Sequence, residues 1–342
     1  MTKILALVNG SGSAYWRIKD PLETLQKAYP DKYDVLILDR LATEDELFMA
    51  DIIILQSIVD LDTISLCYYF QQKKGTKIIC DIDDLVTKMN KDNPHAKEHE
   101  ASDAKEKIIA TLKFADMVTT TTNYLAKKLS IYNKNVVVLP NLMLMSRWNI
   151  PTFKNDSEEV RIGWVGSVTH MDDLMLVIKP LMDTLLEHPN VKLIFMGETR
   201  IRDYFHPLES RVETYLGVPF DSYPQKLHGL RLDIGLAPLG TSFFNKSKSY
   251  IKLLEYGICG VPAICSWTEP YKSVMKHEKT GYIVRKNTNW LNYLDILVTN
   301  KKLRNKLGKN AYKNTLRYDL AKRIHLWDEA YSSLTQHTLK TT

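Results

Sequence analysis

Short apolar runs rich in branched side chains recur along the first half of the chain, at residues 3–8, 35–38, 52–55, 77–80, 117–120 and 136–139. Helix-length segments or loops separate most of them, beginning with a helical pattern over residues 21–28. Runs this short and this continuously apolar read as strands covered on both faces, and their alternation with helices predicts a parallel sheet. The second half repeats the theme at residues 161–165, 192–196, 212–216, 234–238, 262–265 and 281–284. The fold class that follows is α/β, with two doubly wound domains.

Between the halves, residues 145–159 hold a proline, polar side chains and no periodicity, so the boundary belongs near residue 150. The expected domains are residues 1–148 and 160–319. Leu303, Leu307 and Ala311 share one face of a later helix, and a last helix is expected over about residues 320–334 within a C-terminal segment 320–342. In open parallel sheets, ligands bind outside the carboxyl ends of the strands. Two such domains facing a shared cleft would carry their functional residues in the loops that follow strands.

Composition narrows the class. The 342 residues are 44% hydrophobic and 25% charged, enough for an ordinary core in each of two domains and unlike disordered, collagenous or disulfide-rich chains. Cys67, Cys80, Cys259 and Cys265 are scattered through apolar stretches with no CxxC pair, so buried thiols are expected and neither a zinc site nor a disulfide framework. No apolar run approaches the ~18 residues of a membrane span, and residues 4–8 are too short for a secretory signal. A cytoplasmic protein is expected.

The net charge of +6 is unevenly placed. Residues 1–150 carry −1 and residues 151–342 carry +7, and from Arg285 onward there are 12 basic residues against 4 acidic ones. Such a segment could attract the phosphates of a nucleic acid, a nucleotide or an anionic surface. The plainer reading is the solvated face of ordinary helices.

The most informative stretch is residues 244–266, FNKSKSYIKLLEYGICGVPAICS, which follows the strand expected at 234–238. It is expected to open a helix whose first turn carries Ser247, Lys248 and Ser249, where free backbone N–H groups and a lysine make a site for a diphosphate. Glu255, two turns on, can accept hydrogen bonds from both hydroxyls of a ribose.

Read as Asn245, Lys248, Ser249, Lys252, Glu255, Tyr256, Gly260, Pro262 and Ser266, this block resembles the donor-binding signature of GT-B glycosyltransferases, specifically the retaining family 4. Other landmarks agree in order: residues 163–170 (GWVGSVTH) with Asp172, Asp173 and Leu174, residues 232–239 before the signature, then Thr280, Gly281, Trp290, Leu303 and Arg304. The resemblance implies two Rossmann-like domains facing a cleft, with the C-terminal helix packing back on the first. A nucleotide-diphosphate sugar would be held by the second domain and an acceptor mainly by the first, with retention at the anomeric carbon and no metal or other cofactor. Gly166 and Ser167 would approach the phosphates, Lys248 with Ser249 would neutralise the departing diphosphate, Gly197 and Glu198 fall where the family contacts the base, and Glu255 would hold the ribose. Asn245, Lys252 and His170 complete the expected donor set.

Two departures from the family pattern stand out. The family's acid pair is often Glu-x7-Glu, but Ser247 stands eight residues before Glu255, which leaves the sugar's identity open. The Arg and Lys that commonly follow the donor-domain glycine loop are also absent, with Ser167 and His170 in that region. Lys246, Lys248 or Arg17 would then supply positive charge.

In the first domain, residues 10–17 (GSGSAYWR) look like the family's N-terminal loop, with Gly10, Gly12 and Tyr15 on the acceptor side and Arg17 able to reach a phosphate or sugar. A tight turn with a surface arginine is the plainer alternative. Asp81, Asp83 and Asp84 follow the strand at 77–80 and resemble an Asp-rich loop near which relatives place an acceptor-side base. Paired carboxylates also suit Mg²⁺ or Mn²⁺, but the metal-binding DxD belongs to the other glycosyltransferase fold. Asp84 could equally cap a following helix. The remaining histidines, His95, His99, His188, His206, His228, His277 and His325, lack ligand spacing and are expected in surface or packing roles.

The leading functional expectation is a sugar transferase acting on a glycan or lipid-linked acceptor in surface polysaccharide synthesis. A transferase acting on nucleic acid with modified bases is a second, prompted by the basic C-terminal segment. A third is a nucleotide-sugar-binding protein without activity, prompted by Ser247. An NAD-dependent dehydrogenase is disfavoured because no G-x-G-x-x-G follows either first strand.

Overall fold

A computed structural model of the chain describes residues 1–8, 10, 12–57, 60–85, 87, 103–148 and 157–335. All of the expected strands form: β1 (Thr2–Leu7), β2 (Tyr33–Leu38), β3 (Ile52–Gln56), β4 (Lys77–Ile82), β5 (Met117–Thr120), β6 (Val136–Val138), β7 (Val160–Val165), β8 (Val191–Met196), β9 (Val212–Tyr215), β10 (Ile234–Ala237), β11 (Ala263–Ser266) and β12 (Gly281–Val284). They pair in parallel as two six-stranded sheets, in the orders β2-β1-β3-β4-β5-β6 and β12-β11-β10-β7-β8-β9. The chain clusters into two compact units. One comprises Met1–Leu144, Ser247–Ser249 and the chain from Asp319, and the other comprises Met145–Lys246 and Tyr250–Tyr318.

Burial explains why the strands were legible. Every residue of β3, β5, β10, β11 and β12 is buried, because helices cover both faces of the parallel sheets and leave no polar face to alternate with. In the first unit Leu5, Ile53, Ile78, Val118, Ile108 and Leu125 belong to one core cluster. In the second, Ile162, Trp164, Phe195, Leu236, Trp290 and Leu307 do the same.

Sheet order fixes where a ligand can enter. In the first sheet the strand order reverses between β1 and β3, and in the second between β7 and β10. At such switch points the loops leave in opposite directions and open a crevice at the strands' carboxyl ends. In the second unit the loops bordering that crevice are those after Val165 and after Ala237.

Five of the twelve basic residues from Arg285 onward lie on the open face of one helix. Within Lys301–Thr315 the side chains of Lys301, Lys302, Lys306, Lys309 and Lys313 are exposed, whereas Leu307 and Ala311 are buried with Leu303 packed against the core. Arg304 points inward and donates to the carbonyls of Leu297 and Val298 at the end of the preceding helix. The last helical stretch, expected as one piece, divides into Leu320–Arg323 and His325–Thr335. It packs in the first unit, where Asp328 accepts hydrogen bonds from Lys32 at 2.5 Å and the Tyr33 hydroxyl at 2.7 Å.

The four cysteines are free thiols. Among the described residues, no helix is long and apolar enough to cross a membrane. His188 pairs with Asp295, and His277 accepts the Ile283 N–H while packing edge-on to Tyr282 and Tyr293. His95, His99, most of the segment between the halves (149–156) and residues 336–342 lie outside the described residues.

Candidate functional site

The glycine loop after β7 is held at the carboxyl end of the second sheet. Gly166 N–H donates to the Met196 carbonyl at 3.0 Å, tying the loop to the end of β8. Gly197 follows with φ +97°, and a Cβ there would lie 1.7 Å from the Gly166 carbonyl oxygen, so only glycine fits between the two chain segments. A Cβ on Gly166 would meet Trp164 at 2.5 Å and Lys252 Nζ at 2.7 Å. Lys252, on the helix Ile251–Ile258, donates to the Val165 carbonyl and lies 4.8 Å from the Trp164 ring centroid. Its ammonium therefore sits directly beneath the expected phosphate loop. Ser167 is exposed on that loop, its hydroxyl 2.6 Å from that of Thr169.

One carboxylate ties both sides of this crevice. Asp173 is 5% exposed. Its Oδ2 lies 2.8 Å from His170 Nδ1. Its Oδ1 accepts from the Gly240 N–H at 2.7 Å and from the Asn245 side-chain amide at 2.9 Å. His170 and Asp173 belong to the segment after β7, while Gly240 and Asn245 belong to the segment after β10. The Leu239 N–H donates to Ser266 Oγ at 2.9 Å, which adds the end of β11.

Glu198 does something other than expected. Its carboxylate is 1% exposed and accepts from Arg200 Nε at 2.9 Å, Nη2 at 2.5 Å and the backbone N–H at 2.9 Å. Arg200's hydrogen bond holds the carboxyl below its ordinary range. The group displayed outward is the guanidinium, which with Met171, Asp203 and Tyr204 lines an open pocket. Glu255 is also buried. Burial pushes its carboxyl above the usual range against the pull of Lys252, and the Tyr223 hydroxyl donates to it.

In the first unit the structure corrects the reading of Arg17. The residue lies in a wide turn closed by the Asp20 N–H donating to the Tyr15 carbonyl, and it is 1% exposed. Its guanidinium grips Asp81 through Nε at 3.1 Å and Nη2 at 2.7 Å, and Nη1 donates to the Leu139 carbonyl and to Asn141 Oδ1. Burial works against the charge, but Asp81 holds the guanidinium's pKa above its ordinary value. Arg17 is thus an interior tie between the first loop and β4 rather than an arm reaching for a ligand. Gly12 is exposed, Gly10 adopts φ +69°, and Tyr15 is half-buried beneath the Lys19 ammonium. Burial, reinforced by Asp84 and Asp81, raises Asp83 to about 6, and Ser13 donates to it.

A second correction concerns the signature itself. Ser247 ends the short helix Phe243–Ser247, Lys248 and Ser249 lie outside helix, and the next helix begins at Ile251. The three residues pack with the first unit. Ser247 Oγ accepts the Leu85 N–H at 3.0 Å, Ser249 Oγ accepts from the Asn141 amide at 2.9 Å, and Lys248 Nζ donates to Asp84 Oδ2 at 3.1 Å. Any helix that Asp84 would cap falls among residues outside those described. Asn141, Asp173, Arg200 and Tyr223 are among the members of these networks that the sequence did not single out for a role. Two local signals were present: a carboxylate three residues after His170 and an arginine two residues after Glu198.

Residues 248–314 match the family model described as glycosyl transferases group 1. No curated protein matches the chain in sequence. Among solved structures, HepE from Anabaena in complex with UDP-glucose aligns with a TM-score of 0.69 at 12% identity, over 98% of this chain and 100% of that one. Sucrose-phosphate synthase from Thermosynechococcus elongatus aligns at 0.68 and 14% identity, over 97% and 100%. A glycosyltransferase from Rickettsia africae ESF-5 aligns at 0.70 and 12%, over 100% and 99%. The architecture is that of the GT-B glycosyltransferases, and the segment matching group 1 contains most of the signature.

Proposed function

We propose that the protein is a retaining glycosyltransferase that moves a sugar from a nucleoside-diphosphate donor to an acceptor hydroxyl in glycan or surface polysaccharide synthesis. The observation that carries this reading is the group 1 match over residues 248–314, which spans Lys248, Ser249, Lys252 and Glu255. The UDP-glucose complex of the similarly folded HepE supports the donor class.

In this reading the glycine loop at Gly166 and Ser167 receives the diphosphate. Lys248, Ser249 and Lys252 stabilise the charge that grows on it as the glycosidic bond breaks, which is the main catalytic demand when a glycosyl cation forms. Arg200 and Gly197 receive the base, and Glu255 accepts from the ribose. The acceptor oxygen attacks the anomeric carbon on the face the diphosphate leaves, and its proton passes to the departing phosphate. The reaction needs no metal. Ser247 in place of an acid means that donor-sugar hydroxyls are read by other groups.

Calorimetry against UDP, GDP, ADP and their sugars, followed by product analysis with the donor that binds, tests the reading. Donor hydrolysis or transfer that persists in EDTA and gives the donor's own anomer is expected. Binding without turnover would make the chain a nucleotide-sugar-binding protein, and no binding across the panel would remove the donor site.

A further inference from the structure

We infer that Asp173 is the positioning residue of the nucleoside-diphosphate site: its carboxylate fixes the tautomer and ring orientation of His170 and locks Gly240 and Asn245 opposite it across the second sheet's switch point. The inference rests on the donor reading above and names a residue that the signature does not contain.

Hydrogen-bond direction fixes the role of each atom around Asp173. The Gly240 N–H and the Asn245 amide can only donate to Asp173 Oδ1, at 2.7 and 2.9 Å. Oδ2 is left to face His170 Nδ1 at 2.8 Å. A carboxylate accepts at every lone pair, so Nδ1 carries the proton in that contact and Nε2 is the nitrogen the ring turns away from Asp173. Second-sphere carboxylates act in this way on functional histidines elsewhere, setting which nitrogen is presented and in what orientation.

His170 and Asp173 come from the segment after β7, Gly240 and Asn245 from the segment after β10, and the sheet order reverses between those two strands. A single side chain, nine-tenths buried, therefore spans the base of the crevice where a doubly wound sheet receives a ligand. His170 also stands where the family's basic residues are missing, so the orientation of its ring decides what meets an incoming phosphate. An amide here would keep its oxygen for Gly240 and Asn245 and turn its NH₂ toward His170 Nδ1, which forces the ring into the Nε2–H tautomer.

Two measurements test the inference on the full chain. In ¹⁵N-histidine-labelled wild-type protein, with the His170 signal assigned by its loss in His170→Gln, the Nδ1–H tautomer is expected; an Nε2–H tautomer overturns the inference. This needs no Asp173 variant, so it holds even where substitution there prevents folding. In calorimetry with UDP, or the diphosphate of the panel that binds best, Asp173→Asn and His170→Gln should each weaken binding about tenfold or more. The double variant should be no weaker than the weaker single, as expected when one residue acts through the other. Wild-type affinity in Asp173→Asn, or strictly additive losses, overturns the inference alone. A wild-type chain that binds no diphosphate overturns the donor reading and this inference together.

Discussion

Lys248 Nζ lies 3.1 Å from Asp84 Oδ2, with the two side chains 18% and 28% exposed. A cation proposed to meet a diphosphate is thus already paired with a carboxylate. A partly exposed pair of this kind is worth about 1 kcal/mol or less. Asp84→Asn should therefore tighten the diphosphate only modestly, by about fivefold at most, as read by calorimetry with UDP. Lys248→Ala should cost about 10²–10³ in kcat, since the charge it balances develops in the transition state. A Lys248→Ala enzyme with unchanged kcat would remove Lys248 from catalysis.

Arg17 and Asp81 make the opposite case. Their side chains are 0% and 2% exposed, and Asp81 also accepts from Thr119 at 2.7 Å. Removing one member of a buried pair strands the other charge and typically costs about 3–5 kcal/mol. Arg17→Met should therefore lower the thermal midpoint sharply while the folded fraction keeps its affinity for UDP. Loss of UDP affinity without loss of stability would return Arg17 to the ligand site.

Glu255 should separate stability from binding. Burial raises its carboxyl pKa above the ordinary value, so between the two values the folded state holds a proton that the unfolded state lacks, and the ionised form costs stability above that window. Glu255→Gln, whose carbonyl can still accept from Tyr223, should be neutral or stabilising at pH 7. The same change should raise the donor Kd about tenfold, near 1.4 kcal/mol for one charge-assisted contact. Calorimetry and thermal melts on one preparation read both.

Why the strands were legible and parts of the site were not comes down to range. A strand such as Ile52–Gln56, buried along its whole length, announces itself locally. Arg17 reads as a loop arginine because its partner Asp81 lies 64 positions away. The helix expected to open at Ser247 starts at Ile251 instead, and the side chains of Ser247 and Ser249 bond to Leu85 and Asn141, 162 and 108 residues distant. Apolar periodicity runs through that break without registering it. Glu198 carried a nearer signal, since Arg200 follows two residues later, but the ion pair inverts which of the two faces outward.

Asp83 predicts a pH signature. Its carboxyl is raised from 3.8 to about 6, chiefly by burial. Between those values the folded state retains a proton that the unfolded state has lost, so stability falls as pH rises through the window and stays lower above it. At about 1.4 kcal/mol per unit the effect amounts to at most about 3 kcal/mol. Asp83→Asn should flatten the fall in thermal midpoint between pH 4 and pH 6. Parallel profiles for the variant and the wild type would contradict the assignment.

Gly197 offers the sharpest steric test of the site. Its φ of +97° disfavours any side chain, and an added Cβ would stand 1.7 Å from the Gly166 carbonyl oxygen, so Gly197→Ala must push the phosphate loop off the end of β8. Strain of this kind costs about 1–3 kcal/mol, and the displaced loop should also lose UDP affinity by about tenfold or more. Gly217→Ala serves as the control, since a Cβ there meets nothing within 4 Å. Because the loop's position depends on one carbonyl passing over one glycine, binding should fall further than stability alone accounts for. Equal UDP affinity in the two alanine variants would show that the loop after β7 does not hold the diphosphate.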